Sequence, residues 1–355
     1  FGHRLVLVLG VSSASIGRSD GGCNSVDAAE RLRDSWPMSE PADPLPDLDA
    51  LAQLDARLRA LVTRHPDLAG LDLSEVLRIV PGKRAVLAGR LDGRAVVMRL
   101  VEDRCAPALA KEWAELQRIW PHMREGPYRV ADPVAYLPDA KLLVMERAPG
   151  TPLLEHLWHA DVATRAQHLR PAAEWLRHYV EVSEGWRPGN AKGWLARAAR
   201  ASATQPFARL RAIESGVLAH LTRTAAALEG AEWRVAISHG DFHPNNLILG
   251  EDRLTGIDTG GSGRMPVCKD IARFLVHMGR RGMIPSGRRY LGVDAEGLEV
   301  FADVFALTEV ERYLWLPFFI GIEALIRVET RALKPSRIKR AEEMYGLLLA
   351  DLAAL

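Results

Sequence analysis

The sequence predicts an α+β protein, in which a small antiparallel sheet comes first and a larger, mostly helical region follows. Two observations support this prediction. Short runs rich in β-branched residues, separated by turn signals, occupy residues 75–101. Beyond Gly150, apolar residues recur mainly at helical spacing, and the exception is a pair of strand-like runs around one very polar stretch.

The composition describes a chain that can build one large or two ordinary domains. It has 355 residues, of which 48% are hydrophobic and 26% are charged. The formal net charge is +1 and both signs are interspersed, so there is neither a long basic face for nucleic acid nor a polybasic run for a membrane surface. We therefore expect a small-molecule partner, and the oligomeric state stays open. Three cysteines without a C-x-x-C pair indicate a reducing, cytoplasmic location.

The N-terminal segment has the features of an extension. Residues 1–46 contain a Gly/Ser-rich stretch, and Met38, which opens a Pro- and Asp-rich lead-in, looks like a natural start. We predict that this segment is disordered. The alternative is a signal peptide, because "RLVLVLGVSSAS" places a short apolar core after one basic residue. Leucines at helical spacing then predict an amphipathic helix over residues 47–64.

The predicted sheet starts with a meander of three strands within residues 75–101. Its turns are "PGK" and "LDGR", in which Asp-Gly is a strong hairpin signal. A helix with an apolar stripe follows in "APALAKEWAELQRIWP", with Pro121 as its predicted end. Two more strands, joined by Pro138 and Asp139, are predicted in "RVADPVAYLPDAKLLVMERAPG".

A long apolar stretch, "LWLPFFIGIEALI", begins at Leu314. It is too short to span a bilayer and is interrupted by Pro317 and Glu323. This pattern predicts a buried helix.

The most polar stretch of the second half is "HGDFHPNN", residues 239–246, which lies between the apolar runs "VAI" and "LIL". A lone Asp-x-x-x-x-Asn between strands is typical of a turn with Asx hydrogen bonds. The letters "GDFH" also match the G-D-x-H start of metallophosphoesterases, in which Asp241 and His243 would bind a metal. That alternative needs further histidines downstream, and only His277 follows.

The same stretch resembles the catalytic loop H-G-D-x-x-x-x-N of the aminoglycoside phosphotransferase and choline kinase-like family, whose members have a two-lobed protein-kinase-like fold. The matching residues are His239, Gly240, Asp241 and Asn246. Asp258 in "LTGIDTGG" stands where this family has a second metal-binding aspartate. The resemblance implies a small N-terminal nucleotide-binding lobe, 47–148, and a larger, mostly helical catalytic lobe, 149–355.

The resemblance implies an ATP-dependent, Mg²⁺-dependent kinase that transfers the γ-phosphoryl group to a hydroxyl of a small acceptor, such as an aminoglycoside, choline or a sugar-like compound. GTP stays open as an alternative to ATP. Asp241 would be the catalytic base, and His239 would brace the loop. Asn246 and Asp258 would give Mg²⁺ the hard oxygen ligands that it prefers.

The nucleotide site is expected in the N-terminal region. Arg99 in "RAVVMRLV" stands where the family has a lysine, and Glu112 on the next helix is its expected partner. Lys83 in the first turn would reach phosphate, and backbone groups from Glu146 to Ala148 would lie beside the base. Exchanging lysine for arginine is not conservative, because arginine is longer and planar. The alternative is therefore a catalytically impaired, kinase-like nucleotide-binding protein.

Two further assignments stay open. Asp270 in "CKDIARFL" is either another family aspartate or the N-cap of a helix. The acceptor would bind to helices of the larger lobe, where acids or aromatic faces could hold a cationic compound. The candidates there are Trp175, Trp186, Trp194, Trp315, Glu309, Glu311 and Glu323.

Overall fold

The computed structural model describes residues 48–355, so the predicted N-terminal extension lies outside the described residues. The chain divides into two compact units. The first contains the described residues up to Trp113 together with Asp132–Arg147, and the second contains Ala114–Ala131 and Ala148–Leu355. The domains 47–148 and 149–355 remain our proposal.

The helices and strands are numbered in chain order. The helices are α1 (Leu48–Arg64), α2 (Ala106–Met123), α3 (Leu153–His159), α4 (Val162–Gln167), α5 (Leu169–Glu181), α6 (Ala191–Ser202), α7 (Ala208–Ala227), α8 (Val267–Gly279), α9 (Ala295–Val304), α10 (Leu316–Leu325) and α11 (Pro335–Ala353). The strands are β1 (Leu71–Val80), β2 (Arg84–Leu91), β3 (Arg94–Val101), β4 (Tyr128–Val130), β5 (Pro133–Leu137), β6 (Leu142–Glu146), β7 (Thr151–Pro152), β8 (Gly185–Pro188), β9 (Glu232–Ser238), β10 (Leu247–Leu249), β11 (Leu254–Gly256), β12 (Gly263–Pro266), β13 (Arg289–Tyr290) and β14 (Val293–Asp294).

The first unit is built on a five-stranded antiparallel sheet with the strand order β1-β2-β3-β6-β5. The predicted meander of three strands is confirmed. Asp92 and Gly93 have φ values of 51° and 81°, as a two-residue hairpin turn with both central residues in the left-handed region requires. Leucines of α1 join one core cluster with apolar side chains of the sheet, including Leu87, Val96 and Met98. Burial of this shared apolar surface holds the helix on the sheet.

Helix α2 continues to Met123, so the predicted end at Pro121 was wrong. Proline removes the hydrogen bond that its own N–H would donate, and it restricts the residue before it. In α2 the helical conformation continues for two residues beyond Pro121 before the helix ends at Met123.

The second unit is mostly helical but contains more strand than the sequence predicted. One sheet has the order β4-β11-β10-β7 and another has the order β12-β9-β8. The expectation that strands beyond Gly150 only flank the polar stretch was therefore wrong. The missed strands β7, β8, β12, β13 and β14 have two to four residues each, which is too short for alternation to be visible in a sequence.

The long apolar stretch forms helix α10, in which every residue is buried, as predicted. A turn of π-helix, Glu311–Trp315, precedes it directly. Within residues 48–355, no helix combines the length and the apolar character needed to cross a membrane.

A buried ion pair fixes the start of this helical segment. Arg234 on β9 donates from Nε and Nη2 to the two carboxylate oxygens of Glu311, each at 3.1 Å. Its Nη1 also donates to the Phe305 carbonyl at 2.9 Å. Only 7% of Arg234 and 1% of Glu311 are exposed, so Glu311 is not available to a bound acceptor.

We predict that Glu311→Gln destabilises the protein by about 3 kcal/mol or more, because it leaves the buried Arg234 guanidinium with only the more distant Glu184 carboxylate, at 3.6 Å, as a counter-charge. Urea unfolding followed by circular dichroism measures the effect. Glu309→Gln is the matched control, since Glu309 is exposed and should tolerate the change. Equal unfolding midpoints for the two variants would contradict the structural role of the pair.

Candidate functional site

The polar loop 239–246 connects β9 to β10 within the second unit. Strands β10 and β11 pair in an antiparallel hairpin, in which Leu247 lies opposite Gly256. The Ile257 N–H continues this ladder by donating to the Asn246 carbonyl at 3.0 Å. Because Asn246 directly precedes one strand and Asp258 follows the other, the hairpin holds both residues at the same end.

Gly240 is the point at which the loop is held most tightly. Its φ is +83°, and a Cβ at this position would lie 2.1 Å from the Gly261 carbonyl oxygen. Its N–H donates to Asp270 Oδ2 at 2.9 Å, and its carbonyl accepts a hydrogen bond from Lys269 Nζ. The first turn of α8 therefore holds both polar backbone groups of this glycine.

Asp270 is the fourth residue of α8, and Pro266 is at the N-cap position, so the N-cap interpretation of Asp270 was wrong. The side chain is completely buried, and its Oδ2 accepts from the loop backbone instead of capping the backbone of its own helix. Lys269 Nζ lies 3.2 Å from the other carboxylate oxygen. Asp270 thus positions the loop through the Gly240 N–H.

His239 is buried and donates from Nε2 to the Ile257 carbonyl at 3.0 Å. Its ring lies among the rings of Trp175, Tyr179 and Phe242, at centroid distances of 5.9 to 6.2 Å. The side chain therefore ties the start of the loop to the residue before Asp258, which supports the bracing role expected from the sequence.

The Asp241 carboxylate is surrounded by cationic and imidazole groups. Arg273 Nε donates to Oδ1 at 2.8 Å, and Arg327 donates to the same oxygen at 3.2 Å. His243 Nε2 lies 3.5 Å from Oδ2. About 40% of the side chain is exposed. Burial alone would raise the pKa of Asp241, but the His243 contact and the Arg273 charge outweigh it and hold the pKa well below its usual range.

Behind Asp241 lies a charge network that sequence reasoning missed. Arg273 is four residues after Lys269 on α8, and Arg327 is in the turn after α10. Glu323 of α10 is fully buried, 3.8 Å from Lys269 Nζ and 3.6 Å from Arg327 Nε. A usable signal was present in "CKDIARFLVHM", because charges placed inside an otherwise apolar helix indicate buried partners.

His243 stacks on His277, with 4.2 Å between the ring centroids. Burial lowers the pKa of the His243 imidazole, and it lowers that of the His277 imidazole further. Both rings are therefore neutral at neutral pH. The His243 ring that faces the Asp241 carboxylate at 3.5 Å is then uncharged, and the carboxylate keeps its negative charge.

Asn246 and Asp258 are the candidate metal ligands. Asn246 donates from Nδ2 to the Asp241 carbonyl at 3.0 Å, which fixes the orientation of its amide group. Asp258 has φ 63° and ψ 50°, a left-handed conformation that is uncommon for a residue with a side chain and is frequent at functional sites. An amide oxygen and a carboxylate at one end of a hairpin form a donor set that fits Mg²⁺.

In the first unit the structure brings together two of the predicted nucleotide-site residues. Arg99 is on the central strand β3, and Glu112 is on helix α2. Arg99 Nη1 donates to Glu112 Oε2 at 2.5 Å. Lys83 is in the exposed turn between β1 and β2. Glu146 ends β6, where its N–H donates to the Asp132 carbonyl at 2.9 Å. Ala148 belongs to the second unit.

The family follows from a comparison with known sequence families. The model described as "Phosphotransferase enzyme family" matches residues 82–302, which is more than half of the chain. The chain belongs to this family. It is therefore a phosphotransferase, which confirms the enzyme class predicted from the sequence, and the metallophosphoesterase alternative was wrong. None of the curated proteins compared with this phosphotransferase matches it.

Solved structures confirm the predicted protein-kinase-like fold class. Aminoglycoside phosphotransferase APH(4)-Ia is similar with a TM-score of 0.54 and 14% identity, over 85% of this chain and 99% of that one. A choline/ethanolamine kinase family protein from Mesorhizobium loti gives 0.54 and 15%, over 85% and 99%. A thermostable mutant of APH(4)-Ia, in ternary complex with AMP-PNP and hygromycin B, gives 0.51 and 15%, over 83% and 97%.

We predict that Gly240→Ala destabilises the phosphotransferase by more than about 2 kcal/mol and abolishes turnover, because the new methyl group meets the Gly261 carbonyl and φ is left-handed. Thermal unfolding and a phosphoryl-transfer assay measure the two effects. Gly193→Ala on α6 is the control, since its Cβ meets nothing within 4 Å. A Gly240→Ala protein as stable and active as the control would show that the loop is not held as described.

Proposed function

We propose that this phosphotransferase is an ATP-dependent small-molecule kinase, which transfers the γ-phosphoryl group to a hydroxyl of a small acceptor with Asp241 as the catalytic base. The observation that carries the proposal is an ionised, partly exposed carboxylate on a loop whose other groups are tied down. The similar APH(4)-Ia complex contains AMP-PNP, a nucleotide, and hygromycin B, a small molecule. This supports the proposed pair of ligands, and GTP stays open as an alternative nucleotide.

The two oxygens of Asp241 would have different roles. Oδ1 already accepts hydrogen bonds from Arg273 and Arg327. Oδ2 lies 3.5 Å from His243 Nε2, and is the oxygen to which an acceptor hydroxyl would donate. Because its pKa is depressed, the carboxylate is a weak base. Its main contribution would be to orient the hydroxyl for in-line attack, and it would take the proton late.

Asn246 and Asp258 would hold Mg²⁺. When bound there, the ion supplies positive charge that neutralises the phosphate oxygens of the nucleotide. The protein contributes the position of both ligands, through the β10–β11 hairpin and through the hydrogen bond from Asn246 to the Asp241 backbone. His239 fixes the strand end before Asp258, and so links the metal ligands to the base.

In the first unit, Arg99 would bind the nucleotide phosphates. Its pairing with the buried Glu112 fixes the guanidinium, and the planar fork of donors is well suited to phosphate. Lys83 and the backbone from Glu146 to Ala148 complete the proposed nucleotide contacts. The second candidate function, an impaired nucleotide-binding protein, is favoured by arginine at this position. It predicts nucleotide binding without product.

The acceptor stays open among aminoglycoside, amino-alcohol and sugar-like compounds. Of the acids and tryptophans expected to bind it, Trp175, Trp315 and Glu323 are buried, as is Glu311. Arg327 lies beside the catalytic carboxylate with 31% of its side chain exposed. Since Arg327 is itself paired with Asp241 and Glu323, its charge leaves all three classes of acceptor open. A cytoplasmic location remains part of the proposal.

We predict that Asp258→Ala abolishes Mg²⁺-dependent turnover and weakens Mg·ATP binding, while ATP binding in EDTA stays nearly unchanged. Asp241→Ala should keep its nucleotide affinity in both conditions and lose roughly 10²–10⁴-fold or more in rate. Calorimetric titrations with Mg²⁺ and with EDTA, together with a phosphoryl-transfer assay on a library of hydroxyl compounds, separate the two roles.

Asp252→Ala is the matched control for these variants, because Asp252 is in the exposed turn of the same hairpin. It should bind and turn over like wild type. Mg·ATP binding by Asp258→Ala at wild-type affinity, or full turnover by Asp241→Ala, would refute the assigned roles. Nucleotide binding by the wild type without any product would favour the impaired-protein alternative.

We predict that Asp241 stays ionised well below the unfolded pKa of an aspartate, about 4. Since its folded pKa is depressed, the stability that it contributes is present above that value and is lost only as the pH falls towards the folded pKa. Arg273→Ala should raise the pKa of Asp241, because it removes a nearby positive charge. Carboxyl ¹³C NMR titration, assigned with Asp241→Asn, measures both. An ordinary pKa in the wild type would contradict the described charge environment.

A further inference from the structure

A second group of polar side chains lies away from the catalytic loop, where α2 meets α5 in the second unit. His122 is in the last turn of α2, and His178 and Glu181 are three residues apart on α5. Glu181 Oε1 lies 3.0 Å from His122 Nε2 and 2.7 Å from His178 Nδ1. Within residues 48–355, these three form the one group of His, Cys, Asp or Glu side chains with ligand atoms close enough to share an ion.

The spacing of these atoms is close to that of a metal coordination shell. Zinc–nitrogen distances of about 2.0–2.1 Å at tetrahedral angles separate neighbouring ligand atoms by about 3.3 Å. The two nitrogen–oxygen distances here, 3.0 and 2.7 Å, differ from that value by little more than half an ångström at most. All three ligand atoms, including the two imidazole nitrogens, lie within 4.8 Å of one another, so side-chain rotation can bring them around an ion.

We propose that His122, His178 and Glu181 form a binding site for a divalent transition-metal ion, with Zn²⁺ as the best match. Two imidazole nitrogens and one carboxylate oxygen make a donor set that suits zinc. They suit Mg²⁺ poorly, since that ion takes oxygen ligands. The site is thus chemically distinct from the oxygen ligands proposed at Asn246 and Asp258.

The surroundings allow an ion to enter and leave room for a fourth ligand. All three side chains are partly exposed. His178 and Glu181 also line a cavity of about 500 Å³, which is bordered by Tyr128, Glu174 and Arg177 among others. Water or a small anion in this cavity could complete the coordination.

The bound ion would fasten the end of α2 to α5. Two turns earlier on α2, Glu115 accepts a hydrogen bond from the buried Tyr179 hydroxyl at 2.5 Å. The His122 and His178 rings also contact each other, with 4.1 Å between their centroids. The metal would add ligand bonds at a place where the two helices already meet, and would stabilise the folded state by its binding free energy.

The test uses the full-length protein after metal removal with a chelator and gel filtration. Zn²⁺ is titrated by calorimetry, and Co²⁺ by visible absorption, which reports tetrahedral coordination. We expect wild type to bind one Zn²⁺ that His178→Ala loses, with affinity reduced by more than about 100-fold, since even loss of a supporting hydrogen bond costs 10–100-fold. Zn²⁺ should also raise the melting temperature of wild type.

His156→Ala is the matched control, because His156 also contacts another histidine, His168, at a ring-centroid distance of 4.7 Å, but belongs to no such group. It should retain the site. Glu181→Gln, which keeps the side-chain shape, repeats the test if His178→Ala fails to fold. The proposal is overturned by equal Zn²⁺ binding in wild type and His178→Ala, by the absence of a tetrahedral Co²⁺ spectrum, or by displacement of Co²⁺ by equimolar Mg²⁺.

Discussion

The hydrogen bonds between the first turn of α8 and Gly240 are the constraint on which the candidate site depends. The Gly240 N–H donates to Asp270, and Lys269 donates to the Gly240 carbonyl. The loop therefore cannot rotate at this residue without leaving buried polar groups unpaired. Asp241 is the next residue, and its direction follows from that anchor. His239, the residue before Gly240, donates to the Ile257 carbonyl and so also ties the loop to the end of β11. The loop is thus held at the two consecutive residues that precede Asp241.

The charges behind this loop are balanced. Three acids and three bases contribute to the network, namely Asp241, Asp270, Glu323, Lys269, Arg273 and Arg327. Burying charged groups costs free energy unless each has a partner, and removing one member of a pair leaves the other buried without a counter-charge. The arrangement therefore holds Asp241 in its ionised form without external help. It also explains why α8 and α10, two helices with apolar surfaces, carry several charged residues between them.

Much of the fold and of the loop could be predicted from the sequence, because those features depend on local signals. Three such features are the Asp-Gly turn, the leucine spacing of α1 and the pattern from His239 to Asn246. Each depends on residues that lie close together in the sequence. Arg273 and Arg327 could not be assigned to Asp241 in this way, since 32 and 86 positions separate them from it. Pairing at that distance is decided by how helices pack. The role of Asp270 was undecidable for the same reason, as its partner lies 30 positions away.

The backbone conformation at Asp258 limits which residue types can occupy that position. In the left-handed region, residues other than glycine are disfavoured, and short polar side chains such as Asp and Asn are the least so. Glycine would satisfy the backbone and provide no ligand, whereas glutamate would keep the charge and resist the conformation. The backbone conformation and the oxygen donor that we propose for Mg²⁺ binding thus favour nearly the same few residues. Substitutions at position 258 are therefore limited both by the backbone geometry and by the proposed ligand chemistry.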